Sequence, residues 1–252
     1  MIVYKNGEYI KENTAPTLTA KYGLGFFETI LYNGERLCHM KRHLNRLKSS
    51  LTEYGYEYPE TDCEKAAAEI IKLNNLTDGE ARVNIYAEIN AEGKTELSIT
   101  AQAYSGLKDS YTLNIYNRHQ ESHLNEHKSM NWAHFYLAFD RALKGGYDNA
   151  LLVNRKNEIF EAATASLLLK NGDKFVTTPP ANRLQGTALG IASEVIEIEE
   201  KQLYIWDLDN YENCFILNSL IGARTVSRVS VFTFESDNKT ADNLSRLIRE
   251  KG

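Results

Sequence analysis

Apolar and polar residues alternate along the first third of the chain in patterns typical of paired strands. "MIVYKNGEYI" places two short apolar segments around Asn6-Gly7, a dipeptide that favours a tight hairpin turn. "GFFETILYNGERLC" repeats this pattern around Asn33-Gly34. "ARVNIYAEIN" and "TELSITAQAY" alternate in the same way and are joined by the turn "AEGK". We therefore predict β-hairpins in this part of the chain.

Two helical patterns lie between these strands. "MKRHLNRLKSSLTEYG" carries a methionine and three leucines at the spacing of one helix face. "TDCEKAAAEIIKLNN" is a second helical segment, which Thr61 or Asp62 could cap. Residues 1–105 are therefore predicted to form a small α+β N-terminal domain.

Residues 106–252 are predicted to form a larger, strand-rich C-terminal domain. A polar segment connects it to the first domain. A helix is expected from about Asn131 to Leu143, where Gly145-Gly146 ends it. Its apolar side is formed by Trp132, Phe135, Tyr136, Phe139 and Leu143.

Strand patterns dominate the rest of this domain. They are "YTLNIYN", "NALLVNR", "EIFEAATASLLLK", "KFVTTP", "CFILNS" and "VSRVSVFTF". One further helix is predicted from near Gly186 through "TALGIASEVIEI", and a C-terminal helix from about Thr240.

Composition and charge narrow the class of protein. The chain has 252 residues, of which 42% are hydrophobic, so it can bury a sizeable core. Its formal net charge is −5 and no long basic run occurs, so we expect no nucleic-acid partner. No apolar run reaches the length of a membrane span, and the N-terminal segment has no signal-peptide pattern. Three widely spaced cysteines indicate reduced thiols and a cytoplasmic location.

The sequence gives no indication of a metal site. His39 and His43 are four residues apart, but no Glu-rich helix or cysteine completes a ligand set around them. We interpret both as surface histidines. A Walker loop, a G-x-G-x-x-G fingerprint and a G-x-S-x-G nucleophile elbow are absent too.

The remaining candidates for a functional site are a series of residues spread along the chain. They are Arg46 on the first long helix, Lys128 before the next helix, Glu161 among small strand residues, Gly186-Thr187 at a helix start and Ser219 at a strand end. Each has a plain alternative as a surface charge or an ordinary element terminus. Taken one at a time, the plain alternative is the better interpretation.

Taken together, the segments that carry them resemble a known family. "YGLGFFETILYNG", "HLNRLKSS", "KSMNWAHFYLAF", "GYDNALLVNRKNEIFEAATASLLL", "KFVTTPPANRLQGTALG" and "FILNSLIGARTVSRV" are similar, in order and spacing, to class IV aminotransferases. That family includes branched-chain aminotransferases, D-amino-acid transaminases and 4-amino-4-deoxychorismate lyases. The resemblance implies an α+β, two-lobed D-amino-acid-aminotransferase-like fold, fold type IV, with pyridoxal 5'-phosphate as cofactor.

The resemblance also implies a role for each candidate. Lys128 matches the family's Schiff-base lysine, which also moves the α-proton of the substrate, and Glu161 matches the carboxylate beside the pyridine nitrogen. The phosphate is expected at Arg46, at the helix start Gly186-Thr187 and at the hydroxyl of Ser219. A helix start and an arginine suit a phosphate dianion physically.

The substrate is less well defined by the resemblance. Phe27 matches a pocket-lining position, and Arg82 could bind a substrate carboxylate or be an outward strand charge. The chain departs from the family pattern at Ser166, where asparagine is common, and at Ala188-Leu189, where Thr-Arg is common.

The leading functional hypothesis is amino-group transfer between an amino acid and a 2-oxo acid. One alternative is the lyase that releases pyruvate and 4-aminobenzoate from aminodeoxychorismate, and another is a catalytically inactive relative of the same fold. The resemblance implies a homodimer and a small-molecule substrate, and the lack of a long apolar run leads us to expect no membrane partner.

Overall fold

The structure is a computed structural model that describes residues 2–5, 8–11 and 17–250. Its strands are β1 (Ile2–Lys5), β2 (Glu8–Lys11), β3 (Gly25–Tyr32), β4 (Ala81–Ile89), β5 (Thr95–Ala103), β6 (Ser110–Tyr116), β7 (Asn149–Val153), β8 (Glu158–Ala162), β9 (Ser166–Asn171), β10 (Lys174–Thr177), β11 (Ile198–Glu200), β12 (Leu203–Tyr204), β13 (Asn213–Asn218), β14 (Gly222–Val229) and β15 (Phe232–Thr233). Its α-helices are α1 (Leu18–Tyr22), α2 (Met40–Glu53), α3 (Cys63–Leu73), α4 (Ala133–Lys144), α5 (Thr187–Ala192) and α6 (Asn238–Glu250), with 3₁₀ turns at His123–Glu126 and Ile205–Asn210.

β3, β4 and β5 form a three-stranded antiparallel sheet on which α2 and α3 pack; we call this unit the small lobe. The methionine and leucines predicted to form the inner face of α2 are buried or half-buried. Asp62 caps α3, because its carboxylate accepts a hydrogen bond of 3.0 Å from the N–H of Lys65. The strands and helices predicted for this part of the chain are therefore present.

The two predicted hairpin turns differ in outcome. β1 and β2 pair antiparallel as expected, and the Asn6-Gly7 turn between them lies outside the described residues. At Asn33-Gly34 the chain does turn, but the return segment pairs with β3 through a single bridge from Leu37 to Tyr32.

The other strands form a ten-stranded mixed sheet, which with α4, α5 and α6 makes the large lobe. The order is β11-β10-β9-β13-β14-β6-β7-β8-β12, with β15 paired to β14. β8 and β9 lie far apart along this order, yet only Ala163–Ala165 connect them, so the sheet must curl back on itself. The single strand predicted for "EIFEAATASLLLK" is therefore wrong: this short turn divides it, and Glu161 lies near the end of β8.

Two helix predictions also need correction. The helix expected through Ile198 ends at Ala192, because the β-branched residues that follow lead into β11, which pairs parallel with β10. On α4, Tyr136 and Leu143 are 62% and 49% exposed, whereas the small Ala138 and Ala142 face the sheet. Phe135 of the predicted face is buried as expected, so the buried face of α4 is shifted toward the two alanines and only partly matches the prediction.

None of the described helices is both long enough and apolar enough to cross a lipid bilayer.

Candidate active site

A cleft of about 510 Å³ lies between the two lobes. Its walls include every residue that the sequence analysis singled out for a functional role: Phe27, Arg46, Arg82, Lys128, Glu161, Gly186, Thr187 and Ser219. These residues come from both lobes, and some lie almost 200 positions apart in the sequence. The fold, and not their proximity in sequence, brings them together.

The segment that carries Lys128 is fastened to β3. The Lys128 carbonyl accepts a hydrogen bond from the N–H of Phe27 at 2.9 Å, and the N–H of Met130 donates to the carbonyl of Gly25 at 2.8 Å. Gly25 permits this approach, since a Cβ there would lie 3.0 Å from the Met130 sulfur and 2.8 Å from the Ala87 carbonyl oxygen. Strand-like pairing therefore fixes the backbone of Lys128 at the junction of the lobes.

The Lys128 amine is poised between two aromatic rings. Nζ lies 4.4 Å from the ring centroid of Phe27 and 4.7 Å from that of Trp132. Burial and, after it, the nearby charge of Arg46 lower the pKa of Lys128 to about 8. A substantial fraction of the amine is then unprotonated near neutral pH, which a nucleophilic lysine requires.

Glu161 is a buried acid that no cationic side chain of the described residues contacts. Its side chain is 3% exposed, and among the described residues its carboxylate accepts one hydrogen bond, from the N–H of Leu184 at 2.9 Å. Arg183 lies nearby, but its guanidinium donates to the carbonyls of Thr178 and Leu184. Burial raises the pKa of Glu161 to about 8, although that hydrogen bond and the charge of Arg183 oppose the rise. A cation placed at this carboxylate would restore its ionised form.

Arg46 is held by a fork of hydrogen bonds. Its Nε and Nη2 each donate to the carboxylate of Glu28 at 2.7 Å, and Nη1 donates to the carbonyl of Gln185 at 3.0 Å. These contacts use three of its five N–H groups. The two others remain for an anion in the cleft that Arg46 lines.

Glu28 and His43 belong to the same network, and the sequence analysis missed both. His43 Nδ1 lies 2.7 Å from the Glu28 carboxylate, and His43 Nε2 lies 3.2 Å from Ser219 Oγ. Burial would raise the pKa of Glu28, but Arg46 and His43 lower it to about 2. Because the ionised carboxylate only accepts, His43 Nδ1 donates to it. Burial also lowers the pKa of His43, so its neutral Nε2 accepts from the Ser219 hydroxyl.

The interpretation of His43 as a surface histidine is therefore wrong, since it is 1% exposed. The signal was in the sequence: His43 is three residues after Met40 and four before Leu47, on the inner face of α2. His39, at the N-terminal end of the same helix, is half-buried and contacts the carbonyl of Leu247.

Aromatic side chains and a second guanidinium, that of Arg82, complete the lining of the cleft. Arg82 on β4 lines the cleft, and its Nε contacts Asn84 Oδ1 at 3.3 Å. The aromatic side chains here are Phe27, Tyr104, Tyr111, Trp132, Tyr136 and Phe139. A ligand that contacts these residues would meet aromatic walls and the positive charge of Arg82.

Gly186 is placed where no side chain fits. A Cβ at this position would lie 2.4 Å from Ser166 Oγ. The glycine therefore lets the start of α5 approach β9 closely, and it keeps the backbone of Gly186 and Thr187 at the cleft wall.

Replacing Arg46 with alanine should affect stability and anion binding separately. The change leaves the buried Glu28 carboxylate with only His43, which should cost about 3–5 kcal/mol of unfolding free energy. Because the pKa of Glu28 is lowered, this loss should be full above its ordinary value of 4.5 and shrink as pH falls toward 2. Urea unfolding at several pH values measures it.

The matched background is Glu28→Gln, which removes the charge that Arg46 neutralises. The double variant should recover much of the unfolding free energy that Arg46→Ala alone loses. Compared with Glu28→Gln, it should still bind a phosphate-bearing ligand more weakly, by about 1.5–3 kcal/mol. Equal affinity in Glu28→Gln and in the double variant would mean that Arg46 makes no contact with the ligand. Ser219→Ala should cost less, about 0.5–1.5 kcal/mol, since it removes one neutral hydroxyl.

The two-lobed architecture, with a lysine and a buried acid facing one cleft, is that of fold type IV enzymes. The chain belongs to the amino-transferase class IV family, whose model matches residues 25–229. Both predictions, of family and of fold type, are confirmed, and with them the prediction that the chain is an enzyme of this class.

Individual relatives point to two activities within that family. The chain is 24% identical to the "Putative branched-chain-amino-acid aminotransferase" of Methanocaldococcus jannaschii, covering 100% of this chain and 95% of that protein. It is 35% identical to the aminodeoxychorismate lyase of Bacillus subtilis over 101 residues, which are 36% of this chain and 34% of the lyase. A crystal structure of a "Putative 4-amino-4-deoxychorismate lyase" from Legionella pneumophila superposes with a TM-score of 0.83 at 22% identity, over 95% of both chains.

Proposed function

We propose that the cleft holds pyridoxal 5'-phosphate. Lys128 would bind it covalently, Glu161 would face its ring nitrogen, and Arg46, Ser219 and the backbone at Gly186-Thr187 would hold its phosphate. The residues fit this group. Within the part of the chain that the structure describes, no cationic side chain contacts the buried carboxylate of Glu161, and Arg46 keeps two N–H groups without an acceptor. Burial lowers the pKa of the Lys128 amine.

When bound, this cofactor withdraws electrons from the amine-bearing carbon of the substrate. Residues of the protein would perform the other steps of the reaction. The ionised form of Glu161 would keep a proton on the ring nitrogen, the Lys128 amine would take the proton from the substrate's α-carbon and deliver it to the cofactor, and the aromatic walls would exclude water.

The reaction that this arrangement supports best is amino-group transfer between an amino acid and a 2-oxo acid. The observation that carries the proposal is that Lys128, Glu161 and Arg46 line one cleft together with Arg82. A guanidinium beside the reacting amine suits the carboxylate that amino acids and 2-oxo acids share. The presence of all three cofactor-facing residues also argues against an inactive relative.

A second candidate is the release of pyruvate and 4-aminobenzoate from aminodeoxychorismate. It is favoured by the six aromatic side chains that line the cleft together with Arg82, which would suit a cyclic substrate bearing a carboxylate. Two of the similar proteins described above also carry the name of this lyase.

One pair of assays separates the candidates. The purified protein with pyridoxal 5'-phosphate would be incubated with a panel of amino acids and 2-oxoglutarate, and separately with aminodeoxychorismate while pyruvate is monitored. We expect glutamate to form in the first assay. Pyruvate release alone would assign the lyase activity, and no turnover in either would contradict both proposals.

We also propose that the protein is a homodimer, as the family resemblance implies. Tyr136 lines the cleft yet is 62% exposed, so the cleft is open on the α4 side, where a second subunit could cover it. Light scattering on the eluted protein would give the mass of a dimer, and a monomer mass would contradict this proposal.

A further inference from the structure

The last turn of α6 ends against the small lobe instead of in solvent. A helix leaves its final carbonyls without partners inside the helix. Here the carbonyl of Leu247 accepts from His39 Nε2 at 2.9 Å, and the carbonyl of Arg249 accepts from Asn33 Nδ2 at 3.0 Å and from Cys38 Sγ at 2.9 Å. All three donors lie just before α2, the helix that carries Arg46.

The local backbone agrees with a constrained contact. His39 adopts a left-handed conformation, with φ of 51°, which is disfavoured for residues with a Cβ. This conformation coincides with the hydrogen bond from its imidazole to Leu247. The small lobe thus holds the end of α6 in part through a residue whose backbone lies in the less favoured left-handed region.

Arg249 connects this helix end to the cleft. Its side chain is largely buried, and Nη1 donates to the carbonyl of Leu220 at 2.9 Å while Nη2 pairs with Glu80 of the small lobe. Leu220 follows Ser219, and both line the cleft. The guanidinium therefore spans from the cleft wall to the other lobe.

The turn between β13 and β14 is packed tightly beneath α6. Ser245 Oγ accepts from the N–H of Ala223 at 2.9 Å and donates to its carbonyl at 2.7 Å. At Gly222, where φ is 73°, a Cβ would lie 3.0 Å from Arg249 Cδ and 2.6 Å from Ser245 Oγ. The turn has little freedom to move while α6 stays in place.

We propose that Arg249 is a positioning residue for the anion-binding end of the cleft. By holding the Leu220 carbonyl, its guanidinium fixes Ser219 relative to Arg46 on α2. The backbone carbonyl of Arg249 ties this helix end to the small lobe through Asn33 and Cys38, and the pairing with Glu80 adds stability without setting the contact with Leu220. The proposal rests on the proposed binding of a phosphate at Arg46 and Ser219.

The test compares two ligands that differ only in the phosphate. Arg249→Lys keeps the positive charge but loses the fork that reaches Leu220 and Glu80 together. We expect its Kd for pyridoxal 5'-phosphate to rise about five- to tenfold, no more than loss of the Ser219 hydroxyl contact itself would cause, while its Kd for pyridoxal stays unchanged. Both constants would be measured by absorbance titration below the unfolding temperature of every variant.

Glu80→Gln is the matched control. Its amide oxygen can still accept from Arg249, so the contact with Leu220 should persist and the Kd for pyridoxal 5'-phosphate should stay near the wild-type value, although Tm falls. If Arg249→Lys does not fold, Arg249→Gln, which also loses the fork, is measured instead with the same expectation.

Three outcomes would overturn the proposal: wild-type affinity for pyridoxal 5'-phosphate in the Arg249 variant, equal weakening of both ligands, or equal weakening in Glu80→Gln. A wild-type protein that does not bind pyridoxal 5'-phosphate would instead contradict the proposed function itself.

Discussion

Lys128→Ala should remove the covalent attachment of pyridoxal 5'-phosphate and slow turnover by about 10²–10⁴-fold or more, since both nucleophile and proton carrier are lost. The variant should still fold, because the lysine is fastened through its backbone to Phe27, and alanine keeps that hydrogen bond. Borohydride treatment followed by peptide mapping should fix the cofactor to the Lys128 peptide in the wild type and to no peptide in the variant.

Lys144→Ala is the control for this experiment. Lys144 is a solvent-exposed lysine at the end of α4, paired with Asp140 at 2.6 Å. Its removal should leave both the adduct and the turnover unchanged. A borohydride label on Lys144, or on any lysine outside the cleft, would show that Lys128 has been assigned the wrong role.

The Lys128 amine should also titrate unusually low. Because burial lowers its pKa to about 8, the unprotonated amine accumulates as pH rises toward and above 8. The rate at which the unloaded protein attaches the cofactor should therefore rise with pH through this range and then level off. A rate that keeps rising past pH 10 would indicate an ordinary exposed lysine.

Local patterns of apolar and polar residues predicted much of the fold. Period-two and helical spacing located the small-lobe strands, α2 and α4, because each of these elements buries one regular face. The patterns failed where tertiary pairing decided the outcome. The residues after Ala192 join the sheet as β11, and three small residues after β8 allow a turn that periodicity does not reveal.

The site was predicted less evenly than the fold. Single residues did not favour a catalytic lysine or a cofactor carboxylate over surface charges. Their order within a family pattern led to the prediction of one site, and the structure brings these residues together in one cleft. The sequence analysis missed Glu28 and His43 because their roles depend on partners that are distant in sequence. Glu28 on β3 contacts His43 and Arg46 on α2, and His43 contacts Ser219 after β13. Arg249 escaped for the same reason, since Leu220 and Glu80 are distant in sequence.

Glu161→Gln should separate binding of the cofactor from its chemistry. Glutamine keeps the side-chain shape and can still accept the hydrogen bond from Leu184, so the variant should bind pyridoxal 5'-phosphate and attach it to Lys128. It cannot hold a proton on the ring nitrogen by charge, so removal of the substrate α-proton should slow by about 10²–10³-fold. Exchange of that hydrogen with deuterated solvent, followed by NMR, measures the step directly.

The same variant gives a second readout without substrate. Because burial raises the pKa of Glu161 from 4.5 to about 8, the unloaded wild-type protein must lose stability as pH rises from 4.5 to 8. Glu161→Gln has no such proton to lose, so it should be more stable than the wild type at pH 8, and the difference should narrow toward pH 4.5. Equal unfolding free energies at both pH values, together with wild-type exchange of the α-proton, would leave Glu161 as an ordinary strand residue. If Glu161 binds the ring nitrogen, the variant should show both the pH-dependent gain in stability and the slower α-proton exchange. Burial destabilises the ionised carboxylate when no ligand is bound, and the same burial strengthens its electrostatic attraction to a protonated ring nitrogen.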